Sequence, residues 1–466
     1  MKKILYTLLS AGILLVANLF VSNGTFHVAV ELPTPVVSPT LISAQTTTAP
    51  TPTLVPTDAS AETGDPYGEM YFSVIVPDYA SQTDPNIPID DFITRLVRVP
   101  GSCVVGLIEC PAPEEIPIPF DMQNVLATDS NSGALTWSPD GRYGLIIIHP
   151  PDDFTKGWTP EEWEIFQKLG LENLDISPST LYLFDAKTDT WSEIYRADRK
   201  FFYSSFWSPD GQWIAFTVAS SMVTIHPFQA DDGVYIVHPD GTGLQRLGGN
   251  GYILGWVGDS IITRRFLDPA SGSFAHFVEK VSLDGQVTKL FESSRLAQYA
   301  LAPDGGSLLA ADGATRDGGN SFKEVNVLAL DGSVIRWFGA FSNQTTSIYP
   351  IAWSPDGTQV AFPNLRRLYV APRVSQLELP KGSMGVPPDT REVYVASDEF
   401  SAPRYEDFEF SRDNKFLLVQ VYEGYTHFVV VSLETGKSIA LSIPHLDPFV
   451  ADDDYLGDPT FFSWRQ

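Results

Sequence analysis

Two groups of side chains in this chain are of types that could do chemistry. The first is acidic: Asp447, Asp452, Asp453, Asp454 and Asp458 crowd one stretch near the C-terminus. Clustered carboxylates are the oxygen ligands that Ca²⁺ takes, so Asp452, Asp453, Asp454 and Asp458 are the expected metal ligands and calcium the only cofactor suggested. Their spacing matches no defined calcium loop, and a solvated acidic loop is the plainer expectation. The second group is His149, His226, His276 and His427. Imidazoles bind metals or exchange protons near neutrality, but only if the fold gathers them. Cys103 and Cys110 are the only cysteines. In an exported protein such a pair reads as a disulfide closing a small loop, and no histidine lies near enough in sequence to make it a metal site. The chain has no G-x-S-x-G elbow, no H-E-x-x-H, no C-x-x-C and no phosphate-binding glycine loop. No catalytic residue can therefore be named.

The elements that would position these groups are legible from a repeat. Trp137-Ser138-Pro139-Asp140-Gly141 returns intact at Trp207 to Gly211 (with Asp210) and at Trp353 to Gly357 (with Asp356). It returns altered as Leu301-Ala302-Pro303-Asp304-Gly305, as Trp256-Val257-Gly258-Asp259-Ser260 and as Phe410-Ser411-Arg412-Asp413-Asn414. A seventh copy would be starting at Trp464-Arg465-Gln466. Pro presets φ at the first central turn position, Asp folds its carboxylate onto nearby N–H groups, and Gly takes positive φ. This is the chemistry of a type I turn closed by a Gly bulge in a tight hairpin. The aromatic before the turn suits an anchor packed between neighbouring sheets. A second marker follows each first one: Asp185 to Thr188, Pro239 to Thr242, Asp284-Gly285, Asp331-Gly332 and Glu434 to Gly436. Each repeat thus reads as strand A, the W-S-P-D-G turn, strand B, a variable loop, strand C, a second turn and strand D.

Four strands recurring about every 40–50 residues are the signature of a β-propeller blade. The expected fold is all-β: seven four-stranded blades over residues 67–466, with six as the runner-up. Met70 to Val76, Ile93 to Val99 and a short run around Ile116 to Phe120 precede the first full motif. The C-terminal strand, Thr460 to Trp464, is expected to complete the blade that they begin, so that no sheet edge is left open. The pattern resembles the TolB-type, WD-repeat-like propeller repeats of bacterial envelope proteins, and also the propeller that precedes the hydrolase domain in dipeptidyl-peptidase relatives. The resemblance covers roughly residues 67–466 and rests on the blade motif, which specifies architecture and hardly specifies activity. A Thr/Pro-rich stretch stands where the TolB family has an α/β domain, and no hydrolase domain follows the propeller. Neither family's activity or partners can be carried over.

Residues 1–23, with Lys2 and Lys3 before the apolar run Ile4 to Val21, read as a secretory signal or an uncleaved anchor. Residues 24–66, rich in Thr and Pro, read as a disordered stalk. These segments place the protein outside the cytoplasm, secreted, periplasmic or anchored, touching a membrane only through its N-terminal segment. The formal charge of −27 disfavours nucleic acid. Between about 150 and 180, Thr159-Pro160-Glu161-Glu162 opens an expected helical insertion, with Trp163, Ile165, Phe166 and Leu169 on its apolar side. Other long B–C connections run from Pro77 to Asp91, Ala219 to Asp232, Asp268 to Phe274 and Ala311 to Ser321. In a propeller, B–C and D–A loops share one face, and binding residues favour loops on a rigid scaffold. The expected function is a monomeric, non-enzymatic binding module whose protein or envelope-polymer partner meets the loop-rich face. The second expectation is an extracellular glycan hydrolase or lyase with carboxylates at the channel mouth.

Overall fold

In the computed structural model the described residues are 16–22, 25–31, 65–77, 92–119, 135–148, 179–197, 200–219, 231–249, 251–266, 275–294, 297–315, 321–342, 350–364, 366–375, 377, 386–397, 404–422, 426–441 and 459–465. The chain divides into two compact units, Met1–Ala61 and Glu62–Gln466. In the first, Val16–Ser22 pairs antiparallel with Thr25–Glu31. The first of these strands takes the end of the apolar run, and among the described residues no helix is long and apolar enough to cross a membrane.

The second unit contains seven four-stranded antiparallel sheets. Six are continuous in sequence. Their innermost strands are Thr136–Trp137, Phe201–Trp207, Tyr252–Val257, Ala297–Leu301, Ala352–Trp353 and Arg404–Phe410, and they are numbered here as blades two to seven. The first blade is composite: Pro459–Arg465 is innermost, followed outward by Glu69–Pro77, Phe92–Pro100 and Glu114–Ile116. The C-terminal strand pairs with the first strand of the unit from Glu69↔Arg465 to Val74↔Pro459. Seven blades and closure by the C-terminal strand are thereby established. The third strand of the first blade's N-terminal run is shorter and earlier than the sequence suggests, at Glu114–Ile116.

Each blade is pressed between two others, so its middle strands must be apolar on both sides. Leu145 and Ile147 pack with Phe202 and Phe216 of blade three. Their strand neighbours Ile146 and Ile148 pack with Tyr71 and Leu96 of blade one. Alternation of side chains along a strand sends successive residues to opposite faces, and an unbroken apolar run is the result. Each of the seven junctions has its own core, including the one between blades seven and one, where Leu418 and Phe428 meet Phe72, Phe462 and Trp464.

The W-S-P-D-G turns behave as their chemistry dictates. In blade two, Gly141 N donates to Ser138 O at 2.8 Å, and Gly141 has φ 69°. The Asp140 carboxylate accepts from the Ser138 hydroxyl at 2.6 Å and from the Arg142 N–H at 3.1 Å. The Ser138 hydroxyl in turn accepts from Tyr143 N. Ser208 and Asp210, Ser354 and Asp356, and Ser411 and Asp413 repeat the network. In blade five Ala302 lacks the hydroxyl. There Asp304 reaches across to Arg373 of blade six, whose guanidinium holds the Asp304 carboxyl below the usual range. Blade four departs furthest. Val257 pairs with Ser260 across a two-residue hairpin whose first residue, Gly258, has φ 53°, as a type II′ turn requires.

The aromatic anchors do more than fill space. The Trp207 indole N–H donates to Thr136 O, Trp256 to Phe206 O and Trp353 to Ala300 O, each reaching the inner strand of the preceding blade. Trp137 makes the equivalent reach to the Ser463 hydroxyl at 2.5 Å, across the ring closure.

The expected disulfide is present, with Cα atoms 4.8 Å apart. Beside it lies a helical turn that sequence reading missed, Gly101–Val104, wholly buried. Cys103, Val104 and Val105 pack into the core between blades seven and one. Ser102 is tied to the Asp65 carboxylate by its hydroxyl and its N–H. The crosslink therefore staples a plug onto the closing junction. A loop this short contributes roughly 2–3 kcal/mol through chain entropy.

Candidate functional site

Asp447, Asp452, Asp453, Asp454 and Asp458 lie outside the described residues, as do His149, His226 and the expected helical insertion. Of the long B–C connections, the interior of each is outside them too. The one expected from Ala311 is shorter, because the second strand of blade five runs on to Thr315. His276 is fully buried in blade four and hydrogen-bonds Tyr299 through Nε2 at 2.9 Å. His427 belongs to blade seven. These two imidazoles serve different blades, and His276 is a satisfied core residue. Among the described residues no group of three or more His, Cys, Asp or Glu side chains could hold a metal ion.

Two other places stand out. The first is the innermost strand of blade seven. Phe408 and Phe410 point into the core shared with blade six. The alternate residues Asp407 and Glu409 therefore turn the other way, toward blade one, about 7 Å apart along the strand. Glu409 accepts a hydrogen bond at 3.0 Å from the backbone N–H of Trp464, on the closing strand. Asp407 accepts from the N–H of Phe408 at 2.8 Å. Burial pushes Asp407 up to about 7. Burial and, less strongly, the charge of Asp407 push Glu409 up to about 8, against the hydrogen bond from Trp464. Both carboxyls can thus carry protons near neutrality. In the sequence they read as ordinary polar alternation, and the available signal was two acids at i and i+2 in an innermost strand.

The second place is the loop-bearing end of blade four. Tyr252 opens its innermost strand and Phe266 closes its second. Between them stands Arg264, its guanidinium carbon 5.5 Å from the Tyr252 ring centre and 5.0 Å from that of Phe266. It donates to the Ala297 carbonyl of blade five. Beside it Arg265 pairs with Glu279 at 2.7 Å and lies 5.0 Å from the Phe277 ring centre. All these side chains are anchored on paired strands, and Tyr252, Arg264, Arg265 and Phe266 are half-exposed. Sequence reading did not single them out, since Arg and aromatics at a strand end carry no motif.

No protein-family model matches the chain, and none of the curated proteins does. Solved propellers do resemble it. TolB from Acinetobacter baumannii is 17% identical, with a TM-score of 0.37 over 66% of this chain and 62% of that one. This chain thus spans less than two thirds of that TolB structure. The β-propeller domain of the Trilobed protease from Pyrococcus furiosus is 11% identical, with a TM-score of 0.47 over 83% and 95% of the two chains. An oligogalacturonate lyase in complex with manganese is 12% identical, with a TM-score of 0.35 over 74% of each. At such identities the likeness is one of fold. The ring itself, with its four-stranded blades and W-S-P-D-G turns, is the β-propeller expected from the repeat.

Proposed function

We propose that this protein is an extracytoplasmic, non-enzymatic binding module, carried on the Thr/Pro stretch of residues 24–66, that takes a protein or envelope polymer on its loop-rich face. The observation that carries this reading is the Tyr252–Arg264–Phe266 platform at the loop-bearing end of blade four. Aromatic and arginine side chains held rigidly by a scaffold supply most of the energy in binding surfaces, at little entropic cost. The other face presents short turns whose polar groups are satisfied internally, which leaves them less to offer a ligand.

The test is calorimetric titration of the full chain with soluble envelope polysaccharides and with isolated envelope proteins. Tyr252→Ala and Phe266→Ala should each weaken the productive interaction more than tenfold, about 1.4 kcal/mol or more, while the melting temperature stays within a few degrees. Unchanged affinity in both variants would count against the face. The second reading, a glycan hydrolase or lyase, is favoured by Asp407 and Glu409, two carboxyls on one face of an innermost strand, both pushed up toward neutrality as a general acid requires. Release of reducing ends from a polysaccharide by the native chain, abolished in Asp407→Asn, would replace the first reading with the second.

A further inference from the structure

We infer that the junction between blades seven and one is a pH-sensitive latch, closed by the Glu409–Trp464 hydrogen bond and loosened when Asp407 and Glu409 are both ionised. The geometry makes this junction unlike the others. Elsewhere the anchor indole reaches back to the inner strand of the preceding blade. Here the Trp464 indole turns to Tyr67 O of its own blade. The link to blade seven is made instead by the Glu409 carboxyl on the Trp464 N–H. The strand so gripped, Pro459–Arg465, is the one whose pairing with Glu69–Pro77 completes the first blade.

What faces the two carboxyls decides how ionisation acts. From the closing strand come Phe462 and Trp464, which pack with Leu418 and Phe428 of blade seven, while Ser463 and Arg465 turn away to Trp137 and Gly141 O of blade two. From the second strand of blade seven, Gln420 stands opposite Asp407 and Leu418 opposite Glu409. Blade six packs on the other face of this strand, against Phe408 and Phe410. On the carboxyls' own strand, Tyr405 is bound through its hydroxyl to Arg366 O. Among these described side chains no guanidinium or ammonium is in contact with either carboxyl. Two charges on one strand, only partly exposed and with no cation in contact among the described side chains, repel each other and lose hydration. Proton uptake removes both penalties and leaves each carbonyl oxygen able to accept.

Folding takes up protons at these two carboxyls. The unfolded chain releases these protons near the ordinary carboxylate range, about 4. The folded ring keeps them until about 7 for Asp407 and about 8 for Glu409. Between those limits the folded state binds more protons, so stability is full in acid and falls as pH rises toward 8.

The test is native-state hydrogen exchange of the full chain at pH 5 and pH 8.5, corrected for the intrinsic pH dependence of exchange. The protection of the Phe462 and Trp464 amides should fall more than tenfold between the two, relative to amides in the second strand of blade four, Ser260–Phe266. In Asp407→Asn/Glu409→Gln, which keeps the acceptor oxygens and cannot ionise, that relative loss should vanish. Unchanged protection in the native chain, or an equal loss in the variant, would overturn the latch. Should the double variant not fold, the single variants and the native chain decide it in the same way. The outcome is independent of what binds the loop-rich face.

Discussion

Replacing Arg336 by alanine is expected to destabilise the ring by roughly 3–5 kcal/mol, because it breaks a buried ion pair and strands its partner. Arg336 lies on the outermost strand of blade five, Val334–Ser342, and its side chain is 1% exposed. Its guanidinium donates to Asp389 at 2.5 Å and to the Pro372 carbonyl, both in blade six, and lies 4.7 Å from the Phe338 ring centre. The single change leaves Asp389, 17% exposed, without its counter-ion, opens a void beside Phe338 and orphans a carbonyl. The pair itself is a different matter. Its Coulomb gain is set against the desolvation of both charges, so Arg336→Met combined with Asp389→Ala should recover most of the loss. Arg367 and Glu392 make the control. They also approach to 2.5 Å, but are 58% and 37% exposed. Arg367→Ala should leave stability almost unchanged, as the loss of an exposed ion pair does. Urea unfolding followed by circular dichroism measures all of these. Equal effects of Arg336→Ala and Arg367→Ala would show that burial does not govern what these ion pairs contribute.

A chain ending at Asp458 is expected to lose cooperative unfolding altogether. The deletion removes Phe462 and Trp464, 2% and 3% exposed, from the core between blades seven and one. Truncating one buried aromatic costs about 3–5 kcal/mol, and the whole ladder from Glu69↔Arg465 to Val74↔Pro459 goes with them. The sum approaches the roughly 5–15 kcal/mol by which a typical domain is stable. It also exposes the edge of Glu69–Pro77, a template for aggregation. Calorimetry should show no sharp transition for the shortened chain. A native-like melting peak would mean that the other six blades hold without closure.

Much of this architecture could be read from the chain because the blade motif encodes its own geometry. Ser138, Asp140 and Gly141 form a turn from contacts within six residues, so each copy announces a hairpin wherever it occurs. The altered copies were still legible, since Asn414 tolerates φ 58° in place of glycine and Gly258 opens a tighter hairpin. What the sequence hid were contacts between residues far apart in the chain. Nothing local marks Arg336 as the partner of Asp389, or Glu409 as the acceptor for Trp464. Asp407 and Glu409 alternate with Phe408 and Phe410 as solvent-facing residues would, and only ring closure turns that side inward. The helical turn Gly101–Val104 has neither cap nor periodic pattern, and is held by the disulfide and by burial. Of the histidines, residue type suggested chemistry, while the two that are described, His276 and His427, belong to separate blades.

Seven sheets form one ring, closed by the C-terminal strand. Hydrogen exchange of the Pro459–Arg465 amides at pH 5, where the blade-seven carboxyls are protonated, tests it most directly. Closure predicts that the amides paired with Glu69–Pro77 are protected to the same level as those in the inner strand of blade three, Phe201–Trp207. Exchange of the C-terminal strand at the rate of a free peptide, while blade three stays protected, would contradict the closed ring.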